Sequence, residues 1–490
     1  MKRILLFSLW LVFTNSLVAQ TQIGTNINAA FSGEDTGTSV SISSTILGDR
    51  VAIGTPYNDL STTMSGYVKV YQRSGTLWNQ LGQTINGEAA SDFFGVVSLS
   101  GNGTRLVVGG KSNDGNGTSS GHVRVYSFDS GTSTWVQMGS DIDGEASGDE
   151  FGTSVAISYN GTSIAVGAPK NNLNGSTANS GHVRVYEWNG TAWVQKGIDI
   201  NGNLAGDEFG VSLAMSPDGT KLVAGSTWAS SSDGYVEVYT WNGTAWIQKG
   251  AAIDDSISGD KSGTSVSISS DGNRVVIGAP LAGTTGQGNV KVYSYSGSAW
   301  AQFGSTISGW VNGGNFGTSV SMSDSGSEMI VGMPNYHLSA SVTFSGLMVY
   351  YKHNGTAWSS VGTVVLGAGA NDKLGSAMAI SSDGNKVVVG APFSNNNSGF
   401  ARVYDYTTIL SSNNFQLNNR FSIYPNPVTD TFQLETDISV VNVEVVNLQG
   451  QIIKTFKNQE AFNISDLPTG IYLIMVNSEE GKGIKKIIKN

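Results

Sequence analysis

The stretch DEFGTSVAISYNGTSIAVGAPKNNLNGSTANSGHVRVYEWNGTAWVQKGIDI, residues 149–200, decides the fold. It holds four short apolar runs, SVAIS, SIAVGAP, HVRVYEW and AWVQKGI. Asn160-Gly161 joins the first two and Asn189-Gly190 the last two. Asn-Gly between alternating runs signals a hairpin, because a two-residue type I′ turn needs positive φ at both positions. The stretch is therefore expected to form four antiparallel strands. Counted by the glycine before its first strand, the unit recurs at Gly37, Gly95, Gly152, Gly210, Gly263, Gly317 and Gly375. Four strands per unit at this period predict a β-propeller, with a solenoid as the competing arrangement.

The two ends of the repeat array favour a closed ring. The last copy stops after its third strand, Arg402-Val403-Tyr404-Asp405-Tyr406. Its missing fourth run appears at the start, as Gln22-Ile23-Gly24-Thr25-Asn26-Ile27, which aligns with Gln80, Gly82 and Ile85 of the next copy. A strand over 22–27 is thus expected to complete the seventh blade. Closure also removes the open sheet edges that invite aggregation.

Residues 1–19 have the pattern of a secretory signal: Lys2-Arg3, an apolar run from Ile4 to Phe13, then Ser16-Leu17-Val18-Ala19. The alternative, a membrane anchor, is disfavoured because the run falls short of the ~20 apolar residues a span needs. Cleavage after Ala19 would leave Gln20 as the first mature residue. The chain has no cysteine, so stability must come from burial and closure. Its 64 glycines and 13% charged residues suit turn-rich β structure. A formal net charge of −10 argues against a nucleic-acid partner.

Within each unit the first strand is small and apolar, as the crowded axis of a ring demands. The second ends in Gly-Ala-Pro at 167–169, 278–280 and 390–392. The fourth carries Trp78, Trp135, Trp193, Trp246, Trp300 and Trp358, one per blade. Such regularity favours packing between blades over a sugar-stacking stripe. Gln20 takes the seventh slot, which predicts the weakest contact there.

Phe-Gly before strand one (Phe94-Gly95, Phe151-Gly152, Phe209-Gly210, Phe316-Gly317) with Gly-Ala-Pro after strand two resembles the FG-GAP repeat, found also in integrin α subunits. The resemblance spans about residues 22–406. It implies a seven-bladed binding propeller, commonly with Ca²⁺ in loops of DxDxDG type. Here the corresponding loops, Lys111 to Gly117 and Asn171 to Gly175, lack alternating carboxylates, so the resemblance carries over no metal site.

In such a ring one face carries the tight turns, among them Asp218-Gly219, Asn242-Gly243, Asp271-Gly272 and Asp383-Gly384. The other carries the longer loops, where function on rigid scaffolds concentrates. That face is acidic. Three residues before each counting glycine stand Glu34, Asp92, Asp149, Asp207, Asp260, Gly314 and Asp372, with Glu88, Glu145, Glu150, Glu208, Asp254 and Asp255 nearby. The aspartates, Asp92, Asp149, Asp207, Asp260 and Asp372, are candidate oxygen ligands for Ca²⁺. The competing reading is that each caps its own turn by accepting backbone N–H groups two residues on.

Catalytic signals are absent: no HExxH, nucleophile elbow, P-loop or cysteine cluster occurs. His122 and His182 share a repeat position filled elsewhere by Tyr67, Tyr235, Asn289, Leu347 and Phe400, which points to packing. His337 and His353 have no partner visible in the sequence. The sixth unit departs most from the pattern, with Gly314 for the acid and a long loop bearing Tyr336, His337 and Phe344. These three are the candidate ligand residues.

After Tyr406 the chain changes character. Residues 407–420 read as a polar linker, and 421–490 as a small Ig-like β-sandwich. Tyr424-Pro425-Asn426-Pro427, Asn447-Leu448-Gln449-Gly450, Leu467-Pro468-Thr469-Gly470-Ile471-Tyr472 and the strand bearing Lys485-Lys486 closely resemble the type A C-terminal sorting domain of the type IX secretion system. The resemblance implies passage through the periplasm of a Gram-negative bacterium and release or display at the outer-membrane surface. The alternative is an ordinary ligand-binding Ig-like module. The combined expectation is an exported, non-catalytic binding or adhesion propeller with a protein or polysaccharide ligand. A polysaccharide-acting enzyme and a structural surface-layer component remain alternatives.

Overall fold

The computed structural model describes residues 20–43, 49–57, 64–173, 178–228, 233–254, 259–407, 420–447, 452–457, 459–478 and 481–490. The signal over 1–19, most of the linker, Asp255 and the Leu448-Gln449-Gly450 turn lie outside them. The chain divides into two compact units, Met1–Tyr406 and Thr407–Asn490.

The first unit is all-β. Among the described residues it holds seven antiparallel sheets of one design. In the third, Ser154–Ile157, Ser163–Ala168, His182–Trp188 and Trp193–Gln195 pair in sequence order. The β-branched second strand is buried along its whole length, as a strand covered on both faces must be. The fourth run of each sheet is broken in two. In this copy Ile200–Asn201 returns to pair with the third strand after a bend at Gly197, whose φ is +86°.

The first strands touch one another in cyclic order, and Ser39–Ser43 touches Ala377–Ile380 to close the series. Ile42, Leu99, Ile157, Met215, Ile268, Met322 and Ile380, one from each sheet, surround a shared axial cavity of about 150 Å³. The arrangement is consistent with a propeller. The glycine ending each second strand is required by close approach. A Cβ at Gly167 would lie 2.1 Å from the Gly210 carbonyl oxygen of the next sheet. The last sheet meets the first in the same way, with 2.1 Å from Gly390 to the Gly37 oxygen.

The seventh sheet takes its outer strand from the other end of the unit. Thr21–Gln22 and Ile27–Asn28 both pair with Phe400–Asp405, on either side of a bend at Gly24. The strand expected over 22–27 is therefore two short ladders, like the fourth run elsewhere.

Each tryptophan of the repeating set donates its indole N–H to a carbonyl of the preceding sheet: Trp135 to Leu81, Trp193 to Met138, Trp246 to Lys196, Trp300 to Lys249 and Trp358 to Phe303. Trp78 donates to Ile23 and so fastens the first sheet to the N-terminal segment at 2.8 Å. Gln20, in the seventh slot, replaces the indole with a paired amide: Nε2 donates to Thr363 O, and Oε1 accepts from Thr363 N.

The turns correct one expectation. Gly161 has φ +73°, but Asn160 is not left-handed, so the hairpin is not type I′. Gly161 N donates to Ser158 O, and Asn160 Oδ1 accepts from Thr162 N. The same Asx turn recurs at Asp218, Asp271 and Asp383, each accepting from the amide two residues on.

The second unit contains a three-stranded sheet (Phe421–Tyr424, Thr431–Thr436, Ala461–Asn463) and a four-stranded sheet in which Val440–Val446 and Gly470–Ser478 are central. Phe421, Phe432, Val443, Phe462, Ile474 and Ile487 share its core.

Candidate functional site

The acids before each first strand are almost wholly buried, Glu34, Asp92, Asp149, Asp207, Asp260 and Asp372 being 1–3% exposed. Asp92 Oδ2 accepts from Glu88 N and Ala89 N at 3.1 and 2.9 Å. Asp372 Oδ2 accepts from Ala368 N and Gly369 N, and Asp207 Oδ2 from Asn203 N, Leu204 N and the Tyr235 hydroxyl. Asp149 Oδ2 accepts from Ala146 N and Asn171 Nδ2. The direction differs from the sequence reading, since the amides bonded lie three and four residues before the acid. Each of these four carboxylates folds its own connection back upon itself.

Other side chains are placed to share a cation. Glu88, His122 and Asp141 in repeat two, and Glu145, His182 and Asp199 in repeat three, bring donor atoms within 4.8 Å of one another. Both groups enclose an arginine. Arg124 Nε and Nη2 donate to Asp141 at 2.9–3.0 Å, and the same guanidinium pairs with Glu88. Arg184 Nε and Nη2 donate to Asp199 at 2.8 Å and pair with Glu145. Planar forks of this kind suit carboxylates closely. Burial would raise the Asp199 carboxyl, but bonds and charge from Arg184, with Gln195, hold it below its ordinary value. Burial pulls the His122 and His182 imidazoles down, against the opposing pull of Asp141 and Asp199.

Sequence reasoning passed over Asp141, Asp199 and the two arginines. A signal was present: only the two copies reading His-Val-Arg-Val-Tyr also carry Asp four residues after the Gln of strand four.

Repeat six fills the same slot differently. Trp310, Val349 and Val364 stand where repeats two and three carry glutamate, arginine and aspartate. Trp310 is 54% exposed, its ring 5.7 Å from Phe316. Of the predicted ligand residues, His337 and Phe344 are brought together, rings 4.7 Å apart. Tyr336 instead leans on the core of its own sheet. His353, which has no partner visible in the sequence, lies 4.3 Å from the Phe303 ring.

In the second unit three of the four sorting motifs converge. Asn426 Nδ2 donates to Lys486 O, and Asn426 Oδ1 accepts from Ile488 N, both at 2.9 Å. The Tyr424-Pro425-Asn426-Pro427 segment thereby clamps the final strand, Gly481–Lys489. Gly470 pairs with Lys489 on that strand's inner neighbour, and Lys485 Nζ lies 5.2 Å from the Phe421 ring centre.

Residues 422–490 match the secretion system C-terminal sorting domain, and residues 141–186 match the FG-GAP repeat. The chain thus carries an FG-GAP repeat and a secretion-system sorting domain. Its terminal domain is a type IX sorting signal, which implies display at the cell surface or release. No curated protein matches the sequence. A solved structure, Kuenenia stuttgartiensis hydrazine synthase, resembles 77% of this chain over 97% of its own at 14% identity and a TM-score of 0.48, too loosely to bear on function.

Proposed function

We propose that the chain is a non-catalytic binding or adhesion protein. On this reading it is a seven-bladed propeller, closed by its N-terminal strand and carried out of the cell by an Ig-like sorting domain. One observation carries the binding reading. The residues that build the ring repeat from sheet to sheet, whereas one loop-side slot does not. It is Glu88–Arg124–Asp141 and Glu145–Arg184–Asp199 in two repeats, and Trp310–Val349–Val364 in a third. Framework positions kept uniform beside one slot left variable are what a rigid scaffold presenting a specific surface requires. The ligand is an extracellular protein or polysaccharide.

The test compares bacteria displaying the wild-type chain with bacteria displaying loop-side substitutions (Glu88→Gln with Glu145→Gln, or Trp310→Ala) and turn-side ones (Asn160→Ser, Asp271→Ser). Attachment to extracellular matrix and to polysaccharide-coated surfaces is measured at matched surface expression. Loss confined to loop-side variants is expected. Equal attachment by every variant and by cells lacking the protein would remove the adhesion reading.

A further inference from the structure

Three repeats have a cavity on the loop side of the sheet, and their linings differ in charge. In repeat three the cavity holds about 420 Å³ and is lined by Glu145, Asp149 and Asp199. In repeat four it holds about 190 Å³, with Asp207, Asp233 and Asp254. In repeat five it holds about 300 Å³ and, among the described residues, no charged side chain lines it. Its polar groups are Thr284, Gln287, Asn289 and Ser308, alternating with glycines.

Two observations bear on what this uncharged cleft could bind. The side-chain oxygen of Asn289 is buried with no hydrogen-bond partner. A buried acceptor left unpaired is unfavourable, so turning the Asn289 amide toward a donor bound in the cleft would satisfy it. The wall also continues into an exposed aromatic. Gly309, which lines the cleft, is followed by Trp310. The loop carrying Trp310 is fixed against the cleft by Thr285 Oγ1 donating to Asn312 Oδ1 at 2.7 Å, Gly313 N to Thr285 O and Phe316 N to Gln287 O. Trp310 therefore lies, half exposed and against Phe316, on a loop anchored at the rim of this amide-rich pocket.

We propose that the repeat-five cleft and Trp310 form a binding site for a neutral saccharide. This rests on the binding reading above and names its ligand class. A sugar ring offers a C–H face to an indole and hydroxyls, both donor and acceptor, to amides and to Ser308. The unpaired Asn289 oxygen, once turned toward the cleft, accepts a hydrogen bond from a sugar hydroxyl. A lining with no charged side chain among the described residues, in a chain of net charge −10, suits an uncharged ligand, since an anionic polymer would be repelled by the acidic protein around it.

The experiment titrates the mature full-length chain with chitohexaose, laminarihexaose and mannohexaose, and with polygalacturonate as the anionic arm, following tryptophan fluorescence and calorimetry. Binding of at least one neutral hexasaccharide is expected. Trp310→Ala should weaken it tenfold or more, and Asn289→Ala severalfold, with unchanged melting temperature for the exposed Trp310 variant. The proposal is overturned if no neutral hexasaccharide binds, if Trp310→Ala leaves binding intact, or if polygalacturonate binds as well as the neutral sugars. Failure of these titrations alongside continued loop-side loss of surface attachment would remove the saccharide site and leave the adhesion reading standing.

Discussion

His122 and His182 occupy a position that is tyrosine in repeats one and four. There the tyrosine hydroxyl reaches the buried acid, Tyr67 donating to Glu34 Oε2 at 2.9 Å and Tyr235 to Asp207 Oδ2 at 3.0 Å. The shorter imidazole cannot: both His122 nitrogens and His182 Nε2 are buried without a hydrogen-bond partner, His122 Nδ1 lying 3.6 Å from Asp141. Burial lowers both histidine pKa values, with Asp141, Asp92 and Asp143 opposing at His122, and Asp199 and Asp149 at His182. A depressed histidine binds its proton more readily when unfolded. Stability is therefore complete above the unfolded value of about 6.5 and is lost as pH falls below it. Replacing both with tyrosine should flatten the fall in melting temperature between pH 7 and pH 5, read by circular dichroism. Parallel profiles for the two proteins would refute it. The sequence showed the position's interchangeability but not the missing partner, because side-chain reach is set by the sheet behind it. The hairpins teach a similar lesson. Asn160-Gly161 marked the turn correctly, but the asparagine side chain, bonding the amide of Thr162, took the place of the second positive φ.

At the scale of elements, the displaced fourth run was legible because its Gln-x-Gly-x-x-Ile pattern recurs at Gln80, Gly82 and Ile85, while the last copy stops after its third strand. The fastening of each sheet to the last was not, since an indole N–H reaching a carbonyl some 55 residues away leaves no trace in local pattern. The regularity of the tryptophans did favour contact between sheets over an exposed stripe. Two predictions follow from the seam. Trp78→Phe removes one bond, to Ile23 O, and should cost about 1 kcal/mol with the fold intact. Deleting residues 20–28 removes both ladders on Phe400–Asp405, exposes the surface that Ile23 and Ile27 cover, and unfastens Trp78. Each isoleucine alone contributes roughly 1.5–3 kcal/mol by burial. The deletion should therefore lower the melting temperature far more than Trp78→Phe. An unchanged midpoint for the deletion would refute closure by this segment.

For the whole molecule, the sequence revealed seven copies and a change of character after Tyr406, since both are written in period and composition. It did not reveal which acids face one another, because that depends on how the connections fold across neighbouring strands. Six acids recur before the first strands, yet the oxygens traced above are engaged by amides of their own connections or by neighbouring side chains. In the histidine-containing clusters of repeats two and three, a guanidinium already sits between the carboxylates. Arg124 and Arg184 are only 12–13% exposed, so their charges act at short range with little screening. A divalent cation would have to displace each one. The mature chain should therefore melt at the same temperature in chelator and in millimolar Ca²⁺, where a site at 100 times its dissociation constant would add about 2.7 kcal/mol. Replacing both arginines with alanine should lower the midpoint by stranding paired carboxylates. It should also create a response to Zn²⁺, which suits one imidazole with two carboxylates. A calcium-dependent rise in the wild-type protein, lost on Asp149→Ala, would instead make the buried acids metal ligands.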